Sequence, residues 1–434
     1  MNNQRIGFAA SLALVVGNMI GSGIYMLPAS LAPFGGISLV GWICSSLGAI
    51  LLATLFGNLS RVLPNANGGP YAFTRAGLGD FPAYLVAWGY WISIWSTNAA
   101  ITVALVGYLG VFFPVLKTTP SLAVLTGLAF IWLFTWINTR SLRTVGWVQV
   151  TTTALKVIPI FVIGLIGIWY FDIDHLQPFN RSGGSNFSAI TTTTTLTLFA
   201  YLGMESATIP AAQTEGPSNT IRRATITGTA ITILLYILSS AAVMGIVPPE
   251  LLANSSSPFA DAAALFWGGA SQYIVAAGAI LATMGALNGW LLMQGQIPMA
   301  ASIDGLFPQV FRKLNRKSQP AIGIVISSVL VSVLMLANFS KSLVGAFTFM
   351  MTLSTLSVIT PYVFSAASYA LHVGNKPLAQ RRKAYLLALG AFLFALWIII
   401  GSGQEVVFWG FFLLLAGIPF YVVLKRNVEG QVDE

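Results

Sequence analysis

Of the 434 residues only 8% are charged and 56% are hydrophobic, with a mean hydropathy of +0.80. A soluble domain carries about 25% charged residues, so this composition excludes a water-soluble fold and indicates a chain that crosses a membrane repeatedly. The net charge of +9 would suit nucleic acid, but the distribution of the basic residues argues against that partner.

The first apolar run covers residues 7 to 34. As a single helix it would measure roughly 42 Å at ~1.5 Å per residue, against a hydrocarbon core of about 30 Å. Its middle reads G-N-M-I-G-S-G from Gly17 to Gly23, and each interior glycine weakens a helix by about 1 kcal/mol relative to alanine. A break is therefore expected here. Peptide groups freed at membrane depth have no partner in lipid, so such a break lines a protein cavity or a bound ligand. The positive end of the second half-helix would suit an anionic group such as a carboxylate. A small-residue helix contact of the G-x-x-x-G type is the alternative use of the same residues.

Apolar length predicts twelve spans, near 7 to 34, 37 to 60, 81 to 113, 119 to 138, 144 to 171, 189 to 214, 221 to 246, 270 to 302, 320 to 338, 342 to 371, 384 to 402 and 406 to 424. With the N-terminus in the cytoplasm, 17 of the 21 basic residues fall in the tails and loops on that side. Lys117, Arg181 and Lys341 fall opposite, and Lys156 lies within the fifth span. This bias places both termini in the cytoplasm and makes the positive charge topological. The short segment Met1 to Ile6 reads as the lead into a retained first span rather than a cleaved signal. Residues 64 to 80 are too polar and glycine-rich to cross and should pack beneath the bundle. Residues 255 to 266 should form a short helix on the opposite face.

The sixth span repeats the oddity of the first, with Gly203, Glu205 and Pro210 behind a run of five threonines from Thr191 to Thr195. A carboxylate at membrane depth is costly and points to function, although capping of a half-helix would also use it. Interruptions at matching places suggest two inverted halves. The expected units are residues 1–171 (helices 1 to 5), 172–371 (helices 6 to 10) and 372–434 (helices 11 and 12 with the tail). Cys44 is the one cysteine, so no disulfide or thiolate metal site is expected. His175 and His372 fall in loops, and no metal, cofactor or nucleophile constellation indicates an enzyme.

Several stretches resemble one family. They are G-N-M-I-G-S-G-I from Gly17, F-A-Y-L-G-M-E-S-A from Phe199, G-A-L-N-G-W-L-L-M-Q-G-Q from Gly285, D-G-L-F-P from Asp304, S-P-F-A-D-A-A from Ser257 and G-S-G-Q-E-V from Gly401. The chain is similar to the amino acid-polyamine-organocation superfamily and, within it, to the basic amino acid/polyamine antiporters that include arginine/agmatine exchange. The resemblance implies an all-α polytopic membrane protein with twelve helices. A 5+5 inverted-repeat core of the LeuT-like kind would hold discontinuous helices 1 and 6, with two further helices at the periphery. It also implies a homodimer in the bacterial inner membrane that exchanges a small-molecule substrate, an amino acid, for an amine by alternating access, without a cofactor.

Carried over by motif, the amides of Ser22 and Gly23 would hold the substrate carboxylate, and carbonyls at Met19, Phe199 and Leu202 its α-amino group. Trp290 would stack on a side-chain cation. Ser93, Ile94, Asn98, Ile101 and Ser354 would line the side-chain end, although Asn and Ser within spans also join helices to one another. The resemblance gives Glu205, Tyr90 and Tyr362 to a cytoplasmic gate and Tyr71 to a pH response. Two positions depart from the arginine/agmatine pattern. Phe199 stands where that antiporter has a tryptophan, and Lys156 stands where it is apolar. Other branches use such a lysine in place of a coupling sodium, so proton-coupled uptake of neutral or broad-range amino acids is the alternative activity. A non-transporting amino-acid sensor is the alternative outside transport.

Overall fold

The computed structural model describes residues 6–64, 66, 68–140, 157–209, 211, 214–374 and 377–429. Among these the chain is all-helical apart from an isolated bridge between Ile6 and Thr214. The helices are α1 (Phe8–Met19), α2 (Ser22–Leu31), α3 (Ile37–Val62), α4 (Pro70–Leu78), α5 (Asp80–Phe112), α6 (Pro120–Asn138), α7 (Val157–Tyr170) and α8 (Asn186–Leu198). They continue with α9 (Pro217–Ile246), α10 (Pro258–Trp267), α11 (Ser271–Ile303), α12 (Ala321–Ala337), α13 (Leu343–His372), α14 (Leu378–Gly401), α15 (Gln404–Leu415) and α16 (Gly417–Glu429). Nine stretches among the described residues are long and apolar enough to cross a membrane; α1 with α2 make one of them, and α15 with α16 another. The protein is therefore a multi-pass membrane protein, its backbone polar groups satisfied inside helices as lipid requires.

The elements lie where the apolar runs put them, with ends shifted by a few residues, and α4 and α10 are the two predicted non-crossing segments. Lys156 lies outside the described residues, as does the rest of the fifth predicted span before Val157. The sixth run is interrupted, as Gly203 and Glu205 suggested. Regular α-helix stops at Leu198. Thr193, Thr194, Thr195 and Thr197 each donate a hydroxyl to the carbonyl four residues back, which keeps threonine hydroxyls satisfied inside an apolar helix. Beyond them the glycine at 203 ends the regularity.

α5 is the central strut. It packs most extensively against α13 and α11 and also meets α2, α6 and α12, and 94% of its most apolar stretch is buried. The α15–α16 stretch is 17% buried over its corresponding window, so it sits at the edge and offers its apolar surface outward. A helix apolar on all sides belongs in such a setting.

Candidate substrate site

The first break is short. α1 ends at Met19, Ile20 is extended with ψ 97°, and Gly21 leaves helical space entirely with φ −146° and ψ −143°. α2 then starts at Ser22 with no side-chain cap, so the first amides of a helix point from a buried position without the usual side-chain oxygen. Ser22 Oγ is itself buried and has no hydrogen-bond partner. Gly23 is required by packing: a Cβ there would lie 3.0 Å from the Ala200 Cα and 3.3 Å from Phe199 Cδ1. Carbonyls at the end of α1 face inward too. That of Met19 accepts the Tyr236 hydroxyl at 2.6 Å, and that of Asn18 accepts Trp290 Nε1 at 3.2 Å.

The second break is long. After α8 the chain makes one 3-10 turn, Phe199–Tyr201, then turns extended at Leu202 with ψ 137°. Gly203 follows with φ +98°, a conformation that favours glycine. A Cβ at Gly203 would meet Asn18 Cβ at 3.1 Å and Trp290 Cζ2 at 3.3 Å. The two interruptions therefore touch each other, with the Trp290 indole between them. Phe199 stands edge-on to Phe347 of α13, ring centroids 5.9 Å apart.

Glu205 is fully buried next to this point. Tyr90 donates its hydroxyl to Oε1 at 2.7 Å and Tyr362 donates to Oε2 at 3.4 Å. The three residues expected to form a gate thus make one cluster, joining the unwound segment to α5 and α13. Backbone turns close around it, with Ser206 N donating to the Gly203 carbonyl and Thr208 N to the Glu205 carbonyl.

At the other end of the site, Asn98 Nδ2 donates to Gln294 Oε1 at 2.8 Å, and Gln294 Nε2 donates to Ser328 Oγ at 2.9 Å. Asn98 Oδ1 is buried without a partner. Ser93 and Ser354 hydroxyls lie 2.9 Å apart, and Thr97 and Ser354 hydroxyls 2.6 Å apart. Ile94 and Ile101 lie three or four residues from Asn98 or its helical neighbours, on the same buried length of α5. Tyr71, on α4, stands apart from this group. It donates to Asp304 Oδ2 at 3.0 Å, and Arg75 bridges Asp304 at 3.1 Å and Asp80 at 3.0 Å. Burial first, and then the Asp304 carboxylate, push the Tyr71 hydroxyl well above its ordinary range.

All the described candidate residues are buried. Sequence reasoning missed Tyr236, Gln294 and Thr97. Gln294 was visible as an amide inside an apolar span, whereas Tyr236 gave no local sign, since its partner lies 217 residues away.

Residues 6–421 match the family model described as amino acid permease. The chain belongs to the amino acid permease family. This places it in the amino acid-polyamine-organocation superfamily, whose members are transporters rather than enzymes. It is 32% identical to the cadaverine/lysine antiporter of Escherichia coli (strain K12), over 77% of this chain and 74% of that protein. It is 28% identical to the arginine/ornithine antiporter of Pseudomonas aeruginosa, over 98% and 92%. The putrescine transporter of Haemophilus influenzae is 28% identical over 96% of this chain and 97% of its own length.

Proposed function

We propose that this permease exchanges a cationic, arginine-like amino acid for an amine or a second amino acid by alternating access. The observation that carries the reading is the meeting of two helix interruptions around an uncapped α2 N-terminus and an unpartnered, buried Ser22 hydroxyl. Uncapped amides and a helix dipole favour a carboxylate. In this reading the substrate carboxylate binds Ser22 and the Gly23 amide, and its α-ammonium sits by the carbonyls of Met19, Phe199 and Leu202. A side-chain cation then lies on Trp290, a contact worth about 0.5 to 2 kcal/mol. Ser93, Ile94, Asn98, Ile101 and Ser354 set the length and polarity accepted beyond it. The Glu205–Tyr90–Tyr362 cluster fastens the cytoplasmic half. The antiport activities named for the relatives support exchange, and their substrates share a cationic amine.

The same reading assigns twelve spans, with repeats over 1–171 and 172–371, a peripheral unit over 372–434, and both termini in the cytoplasm of a bacterial cell with its inner membrane as the site. Lys156 is assigned to coupling or to bracing the first break.

Proteoliposomes test the assignment. Labelled arginine should be trapped only when arginine, ornithine or a diamine fills the lumen. Accumulation into empty vesicles under an imposed pH gradient would replace exchange by proton-coupled uptake. No flux with any cationic or neutral amino acid in either mode would remove the transport reading.

A further inference from the structure

A cavity of about 570 Å³ opens on the face that the proposed orientation makes external, between the loop that follows α9, α10 and the start of α13. Its wall carries one cation and one anion, Lys117 and Asp261, with Leu251, Ser255 and Leu343 among the other lining residues. The two charges are joined through a hydroxyl rather than as a direct ion pair. Lys117 Nζ donates to Ser257 Oγ at 3.2 Å, and Ser257 Oγ donates to Asp261 Oδ1 at 3.4 Å. Ser255 Oγ donates to the other carboxylate oxygen. An ammonium and a carboxylate one hydroxyl apart present, with opposite signs, the two ends of an α-amino acid.

The elements that line the cavity also reach the centre. Its floor includes Leu343 and Val344; Phe347, about 4.5 Å further along α13 at ~1.5 Å per residue, is the ring that meets Phe199 over the substrate site. α10, which carries Asp261, is fastened to α2. The Phe259 amide donates to the Tyr108 hydroxyl at 3.3 Å, that hydroxyl donates to the Tyr25 carbonyl at 2.9 Å, and the Phe259 and Tyr25 rings pack edge to face at 5.3 Å. An occupant of the cavity would therefore touch α13 one turn before the ring that meets Phe199, and α10, which packs on the helix whose N-terminus is assigned to the carboxylate.

We propose that this cavity is an anteroom that holds the incoming α-amino acid as a zwitterion, its carboxylate on the Lys117 ammonium and its α-ammonium on the Asp261 carboxylate, displacing Ser257 as the link between them. The inference rests on the transport reading. It gives the external face a chemical preference, because a decarboxylated amine has nothing to offer Lys117 and engages Asp261 alone.

The test is exchange in oriented proteoliposomes, with arginine and agmatine as the two probes, measured from each face separately. Lys117→Met should raise the external KM for arginine about five- to tenfold while leaving that for agmatine unchanged; Asp261→Asn should raise both by about the same factor, as expected for loss of a charge-assisted pair. Leu251→Trp, which fills the cavity and leaves both charges in place, should raise the external KM for arginine without altering KM at the cytoplasmic face. Equal effects of Lys117→Met on arginine and agmatine, or equal effects of any of these variants on the two faces, would overturn the anteroom. So would an unchanged external KM in all three while exchange persists, and in that case the transport reading stands. Failure of the unmodified protein to exchange either probe would instead remove the reading on which the inference rests.

Discussion

The two interruptions are built on different terms. The first spends two residues outside helical geometry, and although the Met19 and Asn18 carbonyls before it are satisfied, it leaves its far side open, with α2 uncapped and the Ser22 hydroxyl without a partner. The second runs from the 3-10 turn at Phe199 past Glu205 and is closed by its own turns and by the phenols of Tyr90 and Tyr362. Buried polar groups left open cost stability, about 1–3 kcal/mol each, and groups satisfied internally do not. The open break is thus the one that gains by meeting a ligand, and the satisfied break is the one that holds the bundle together while it waits.

Substitutions should separate those two roles. The largest effect is expected at the contact between them, where Gly23→Val would drive a side chain into the Ala200 backbone. Overpacking costs ~1–3 kcal/mol, so substrate binding should weaken by up to about 100-fold at 1.4 kcal/mol per decade, read by titration of substrate onto purified protein. Next, Glu205→Ala strands two phenols and should lower unfolding free energy by about 2–3 kcal/mol, visible as a fall in melting temperature with or without substrate. Ser22→Ala should do the opposite: unchanged or slightly higher melting temperature without ligand, with substrate affinity reduced by up to about tenfold, since an unpartnered hydroxyl is removed. A matching loss of stability in the unliganded protein would show that the first break is satisfied after all. A smaller contrast lies within the second break, where Tyr90→Phe should cost about 1 kcal/mol and Tyr362→Phe a few tenths, following the 2.7 and 3.4 Å distances.

The smallest effect concerns pH. The Tyr71 phenol is held above its usual range, so it stays protonated wherever an ordinary tyrosine does. Its folded-state value is raised, so its contribution to stability is complete below the ordinary value of about 10 and fades only as pH climbs beyond it. Tyr71→Phe should therefore leave the shape of the exchange profile intact between about pH 5 and pH 9 while lowering its height slightly through the lost Asp304 bond. A profile whose midpoint moves in Tyr71→Phe would mean that the phenol positions a titrating neighbour.

Much of this was legible in the chain itself. Glycines at 21 and 203 announce where helix cannot persist, and the length of the first run announces that it need not. Partnership was harder to read. Nothing local to Tyr236 says that its hydroxyl ends on the Met19 carbonyl, and nothing local to Ser93 or Ser354 says that α5 and α13 meet through them and Thr97. Periodicity encodes which face of a helix is buried, whereas the identity of the neighbour is settled by packing across long sequence separations. The second interruption falls at the Gly203 and Glu205 that marked it, but its extent was not readable there, because a glycine marks where regularity fails and not how far the chain travels before recovering it.

Gly23 meets Ala200 with almost nothing beyond backbone on its own side, and a side chain larger than hydrogen at Gly23 would press on the Ala200 backbone. That corner of the molecule is closed to evolutionary experiment. On the site proposed above, descendants of such a chain that adopt new cargo would do so by altering the far wall, along α5, α11 and α13, with the grip on the shared amino-acid head inherited and the taste for its tail free to drift.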